Sequence, residues 1–113
     1  HIVVPNNTVA KSTIINYSSE KLRRLDLNFA ILGKGDPQVA IDLIQSVLEE
    51  EKDRILEEPE KPFLRLTGFS AEGNATLTLR VWVKAENLWD LNYDLLQKIK
   101  RTFDRNTMVI ITK

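Results

Sequence analysis

The chain has 113 residues, no cysteine and a single histidine at position 1, and its sixteen basic residues match sixteen acidic ones. That length suits one domain burying roughly two thirds of its unfolded surface. The missing thiols exclude disulfides and thiolate metal sites, and a zero charge balance argues against a dedicated nucleic-acid binder.

Ile2-Val3-Val4 and Thr13-Ile14-Ile15-Asn16-Tyr17 read as short strands around a turn-forming Pro5-Asn6-Asn7-Thr8. Two short strands do not make a stable sheet alone, so they must lean on the rest of the chain, another copy or further sequence. From Arg23 to Leu32 apolar and polar residues alternate, with Leu25, Leu27, Phe29 and Ile31 inward. That is a half-buried strand. Gly33-Lys34-Gly35 turns the chain, Asp36 reads as an N-cap and Pro37 as the first helical residue. Ala40, Ile41, Ile44, Val47, Leu48 and Ile55 then recur at helical spacing, until Pro59 and Pro62 close the region. Acids at a helix C-terminus oppose its dipole, so this helix should break near Lys52.

Phe63 to Phe69 is a second strand, Ala71-Glu72-Gly73-Asn74 a hairpin turn, and Ala75 to Lys84 a third strand. Leu88, Leu91, Leu95, Ile99 and Phe103 mark a second helix from about Leu88 to Asp104, with Asn87 as its cap. Lys98, Lys100, Arg101 and Arg105 sit towards its end, where cations suit the dipole, and Asn106 suits a left-handed cap. Met108 to Thr112 reads as a final strand. The order β-α-β-β-α-β defines an α+β, ferredoxin-like domain with both helices on one sheet face. Arg80, Trp82 and Lys84 fall on the other face, where an exposed tryptophan suggests a subunit or domain interface.

Other motifs have plain readings. Gly33-Lys34-Gly35-Asp36-Pro37 has no P-loop spacing, and the Asp36 carboxylate occupies the place an anion would take. Glu49-Glu50-Glu51, Asp53, Glu57, Glu58 and Glu60 form an acidic cluster interleaved with Lys52, Arg54 and Lys61, the mark of a solvated helix end. Trp82, Trp89 and Tyr93 raise the question of base stacking, but the third strand lacks the glycine-rich basic-aromatic pattern of an RNA-recognition motif. With one terminal histidine and no cysteine, no hydrolytic, redox or metal constellation assembles, so no catalysis and no cofactor are expected. No apolar run nears the ~20 residues that span a bilayer, and no leader peptide is visible.

One ordered set of motifs resembles a known family. Val4-Pro5-Asn6, Ile14-Ile15-Asn16-Tyr17-Ser18, Arg23-Arg24, Asp53-Arg54-Ile55-Leu56, Val81-Trp82, Asp94-Leu95-Leu96, Ile99-Lys100 and Phe103-Asp104 are similar, in order and spacing, to the cytoplasmic C-terminal region of the small-conductance mechanosensitive channels. The resemblance implies that residues 1–20 are the last two strands of an incomplete Sm-like β domain and that 21–113 form the ferredoxin-like domain. It further implies an inner-membrane channel with this part on the cytoplasmic side. Its partners would be the pore domain of its own chain and other copies in a heptameric cage. The channel would release ions and small osmolytes on hypo-osmotic shock. The turn at Pro5, Asn6 and Asn7 would contact the gate. The sequence departs from the family at Thr107, where glycine is usual, and in the missing prolines after Met108. The residues alone also fit a regulatory or small-molecule-binding ferredoxin-like module of a soluble protein.

Overall fold

The computed structural model of the protein describes residues 8–16, 21–32 and 36–111. Among these residues the chain forms β1 (Thr8–Asn16), β2 (Leu22–Ile31), α1 (Pro37–Glu50), β3 (Phe63–Phe69), β4 (Ala75–Lys84), a 3-10 turn (Ala85–Asn87) and α2 (Leu88–Ile111). The four strands make one sheet in the order β1-β2-β4-β3, with every neighbouring pair antiparallel.

Period-two alternation sorts the side chains of the sheet onto two faces. Leu25, Leu27, Phe29 and Ile31 of β2 join Leu77, Leu79, Val81 and Val83 of β4 on one face, none more than 1 % exposed. Ala40, Ile44 and Val47 of α1 and Leu91, Leu95, Ile99 and Phe103 of α2 complete a single core against that face. Each fully buried large aliphatic side chain contributes roughly 1.5–3 kcal/mol of transfer free energy, so this face holds the fold together.

Local signals set the element ends. The Asp36 carboxylate accepts the Gln38 amide at 2.9 Å, and Pro37 opens α1 without an orphan donor. The helix stops at Glu50, and the Glu51 amide donates to the Leu48 carbonyl at 3.1 Å, in keeping with the break expected near Lys52. The β3–β4 hairpin turns at Gly73, whose φ of 87° is left-handed backbone that glycine adopts without strain. Between α1 and β3 the chain runs beside β4, where the Leu56 amide donates to the Trp82 carbonyl at 2.9 Å.

The α+β class and the β-α-β-β-α core are those expected from the sequence. Two differences concern the ends. First, β1 begins at Thr8, ahead of the expected Thr13, and runs beside β2 from Thr8 opposite Ile31 to Asn16 opposite Arg23. The N-terminal strand therefore leans on the rest of the chain. The expected strand at Ile2–Val4, the turn residues Pro5, Asn6 and Asn7, Tyr17 and the turn Gly33–Gly35 lie outside the described residues.

Second, the expected final strand is absent: residues 108–111 are helical, and α2 runs on to Ile111. No glycine or proline interrupts Asp104 to Ile111, so nothing in the backbone stops the helix. Asn106, expected as a left-handed cap, is instead within α2, where its Nδ2 donates to the Thr102 carbonyl at 2.9 Å. Lys98, Lys100 and Arg101 accordingly lie mid-helix, and the last turn carries no basic residue. The edge beside β2, which the last strand of a ferredoxin-like sheet would occupy, is already filled by β1.

Candidate interaction surfaces

The sheet face turned away from the helices carries Arg80, Trp82 and Lys84 of β4, the three residues singled out from sequence. Register sets their neighbours: Asp26 lies opposite Arg80, Arg24 opposite Trp82 and Asn28 opposite Thr78. On the flanking strands, Thr13 lies opposite Asp26 and Phe63 opposite Arg80. One row thus reads Thr13, Asp26, Arg80, Phe63 across the whole sheet.

Asp26 is the electrostatic centre of this face. Arg24 grips its carboxylate with two hydrogen bonds, Nε to Oδ1 at 3.1 Å and Nη2 to Oδ2 at 3.2 Å. The Arg80 Nε stands 3.5 Å from the same Oδ1, and its guanidinium lies 5.4 Å from the centroid of the Phe63 ring. That distance is within cation–π range. The Arg80 Nε is itself buried and makes no hydrogen bond. Next to this triad, the Thr78 hydroxyl donates to Asn28 Oδ1 at 2.9 Å and lies 2.8 Å from the Thr67 hydroxyl.

Trp82 differs from expectation. It is on the predicted face but only 6 % exposed, because Arg24 lies opposite it on one side and Leu56 pairs with it on the other. The charged side chains of this face remain open to solvent: Lys11, Arg65 and Lys84 are exposed, and Arg24 and Arg80 half-buried.

The acidic cluster splits into an inner and an outer part. Glu51 is 7 % exposed and receives Arg54 Nη2 at 2.5 Å and Lys98 Nζ at 3.3 Å. Arg54 Nη2 also reaches Asp94 Oδ2 at 2.7 Å, which ties the turn after α1 to α2. The Arg54 hydrogen bond, aided by Lys98 and opposed by burial, holds the Glu51 carboxyl below the usual carboxylate range, while Glu51 and then Asp94 raise the Arg54 guanidinium further. The other carboxylates, Glu49, Glu50, Asp53, Glu57, Glu58 and Glu60, face solvent. Sequence order gave no sign of the Arg54–Asp94 link, because its partners are forty positions apart.

Two further features stand out. Trp89 and Tyr93, one turn apart on α2, stack with ring centroids 6.1 Å apart while more than half exposed. An open groove of about 590 Å³ runs between α1 and the outer strand β3, past Ile41, Leu48, Leu64 and Leu66. Among the described residues no cluster of His, Cys, Asp or Glu is placed to hold a metal ion, and no helix is long and apolar enough to cross a membrane.

Fold and surfaces together describe an α+β domain whose most developed surface features are a basic sheet face and an acidic stretch between α1 and β3. Comparison with known proteins gives its kinship. Residues 35–110 match the family described as mechanosensitive ion channel MscS, C-terminal. An uncharacterized MscS family protein of Buchnera aphidicola subsp. Acyrthosiphon pisum is 31 % identical over 111 residues, covering 96 % of this chain and 35 % of that protein. The small-conductance mechanosensitive channel of Edwardsiella ictaluri is 31 % identical over 112 residues, covering 96 % and 37 %. That of Helicobacter pylori is 30 % identical over 111 residues, covering 96 % and 39 %. The chain belongs to the MscS family of mechanosensitive ion channels. It spans a little over a third of the length of these relatives.

Proposed function

We propose that this chain is the cytoplasmic part of a tension-gated channel subunit in the inner membrane, and that the complete channel releases ions and small osmolytes on hypo-osmotic shock. The observation that carries this reading is the family match over residues 35–110, joined by relatives named small-conductance mechanosensitive channel that align with nearly the whole chain. On this reading the domain catalyses nothing. It assembles with its own copies, seven in the family arrangement, into a cage beneath a pore formed by the rest of the subunit. On the same reading residues 1–20 are the end of an Sm-like β domain whose strand Thr8–Asn16 packs as an edge strand on the sheet of the ferredoxin-like domain of 21–113, and Pro5, Asn6 and Asn7 form the turn against the gate. Arg80, Trp82 and Lys84 lie on a face available to a neighbouring subunit or domain.

The test is to express the complete gene in bacteria stripped of their own mechanosensitive channels. Survival of a sudden drop in osmolarity, with tension-activated currents in excised patches, is the expected result. Absence of any tension-activated current from correctly inserted protein overturns the reading. The alternative, a regulatory module of a soluble protein, would use the groove between α1 and β3. Equilibrium dialysis of the chain against small-molecule pools, read for a retained ligand, tests it.

A further inference from the structure

We infer that the charged sheet face of one copy receives the acidic corner of the next, so that the copies join head to tail. This rests on the assembly reading above and deepens it by naming the two surfaces. The first observation is an imbalance. Two guanidiniums, Arg24 and Arg80, share the single carboxylate of Asp26. Lys11 and Arg65 extend the same face on β1 and β3, and Lys84 lies at the end of β4, so five cations face one acid. The Arg80 Nε is buried without a hydrogen bond. This face therefore carries a net positive charge that Asp26 only partly offsets.

The second observation is where the missing charge sits. The chain is neutral overall, so its basic face must be offset elsewhere. The offset is concentrated between α1 and β3, where Glu49, Glu50, Asp53, Glu57, Glu58 and Glu60 are exposed beside Lys52 and Lys61, with Lys98 of α2 reaching Glu50 at 3.9 Å. Glu51 and Arg54 do not change that balance, because they are paired with each other. Each copy therefore carries both halves of a complementary pair on different parts of its surface. Unlike patches set at opposite edges of one chain favour a heterologous contact, which closes into a ring when the rotation allows, whereas a two-fold dimer would have to satisfy both patches at once and would give dimers only.

The dimensions set the strength. Strands of about ten residues at ~3.3 Å, four abreast at ~4.8 Å, give a face of roughly 600 Å². A stable interface needs about 800 Å² per partner. The contact is thus weak between free chains and becomes effective where the remainder of the subunit holds copies together at high local concentration. It is also sensitive to salt, since its charges are close to solvent.

These 113 residues contain no cysteine, so within them a thiol reagent reports only introduced positions, and any cysteine elsewhere in the subunit is first replaced by serine. Lys11→Cys and Glu58→Cys are placed together in the complete subunit and treated with a short bismaleimide. Lys11 is on the strand at one edge of the sheet and Glu58 lies just before the strand at the other edge, so a product within one copy is disfavoured. The expected result is a ladder of dimers, trimers and larger species, absent from either single variant. Adding Arg65→Glu should remove most of the ladder, and adding Glu57→Lys and Glu60→Lys to that variant should restore it. If Lys11→Cys alone cross-links as well as the pair, the faces meet symmetrically and the inference fails. If a lysine-reactive reagent captures multimers but the cysteine pair gives no ladder, assembly stands and these two surfaces are the wrong ones. If neither reagent captures multimers, the assembly reading fails too. Binding of the face to anionic lipid vesicles without any ladder would reassign it to a lipid surface and overturn the inference.

Discussion

The Ser12 hydroxyl donates to Asn92 Oδ1 at 2.9 Å across eighty positions of sequence. Asn92 is 4 % exposed, on a helix face otherwise given to leucines. The bond fastens the edge strand β1 to α2, so β1 is held by side-chain contact as well as by its ladder to β2. A neutral hydrogen bond of this kind contributes about 0.5–1.5 kcal/mol, and a buried polar group left alone costs about 1–3 kcal/mol. Asn92→Ala should therefore lower stability by about 1–2 kcal/mol and Ser12→Ala by about 1 kcal/mol. In urea denaturation the double variant should lose less than the two single losses combined, the mark of a direct coupling. Strict additivity would mean the two side chains do not interact.

Glu51 sits where a carboxylate opposes the dipole of α1, and Arg54 and Lys98 offset that. Because Arg54, foremost, depresses its folded pKa, the folded state binds this proton less readily than the unfolded one. The stabilisation is fully present above the ordinary glutamate value of ~4.3 and is lost as pH falls through the lower folded value. Melting temperature should thus decline on acidification from about pH 5 to about pH 3 more steeply in the native chain than in Glu51→Gln. At neutral pH the variant should be less stable by about 1–2 kcal/mol, since it leaves Arg54 with only the half-exposed Asp94. Parallel acid profiles for the two proteins would exclude a role for this carboxylate.

The parts of the fold that are periodic were legible in the sequence. Leu25 to Ile31 and Leu77 to Val83 alternate so regularly that face and burial follow from the pattern, and Asp36-Pro37 announces its helix. The C-terminus was misread because Val109, Ile110 and Ile111 are β-branched and favour strands by intrinsic preference. Whether such a run becomes a strand depends on a vacant sheet edge, and β1 occupies it, a long-range fact that local preference does not contain. The burial of Trp82 was hidden for a similar reason: alternation places it on the correct face, but only tertiary structure brings Leu56 beside it. The Asp26 triad was missed because its arginines come from two strands whose pairing register the sequence does not state.

Asp36 offers a purely local test. Its carboxylate caps the Gln38 amide, and Asp36 is exposed, so no packing is lost on truncation. Asp36→Ala should cost about 1 kcal/mol, and Asp36→Ser, which keeps an acceptor, should recover most of it. Thermal melts of the three proteins measure this. An alanine variant as stable as the native chain would show that α1 draws its start from Pro37 and the core alone.

The shared carboxylate of Asp26 makes a sharper prediction. Asp26→Asn keeps the shape but leaves Arg24 and Arg80 facing each other without an anion. Breaking an ion pair while its partner stays buried is costly, but both guanidiniums are partly open to water, with side chains 24 % and 35 % exposed. The loss should then be about 1–2 kcal/mol, below the ~3–5 kcal/mol of a fully buried pair. Arg80→Met in the Asp26→Asn background should regain part of it, because the second change removes the repulsion that the first created. Added salt should narrow the gap between native and Asp26→Asn protein by screening the two cations. If Arg80→Met instead deepens the loss as much as it does in the native chain, Asp26 and Arg80 are independent. The excess positive charge of this sheet face would then have to be traced to Lys11, Arg24 and Arg65 alone.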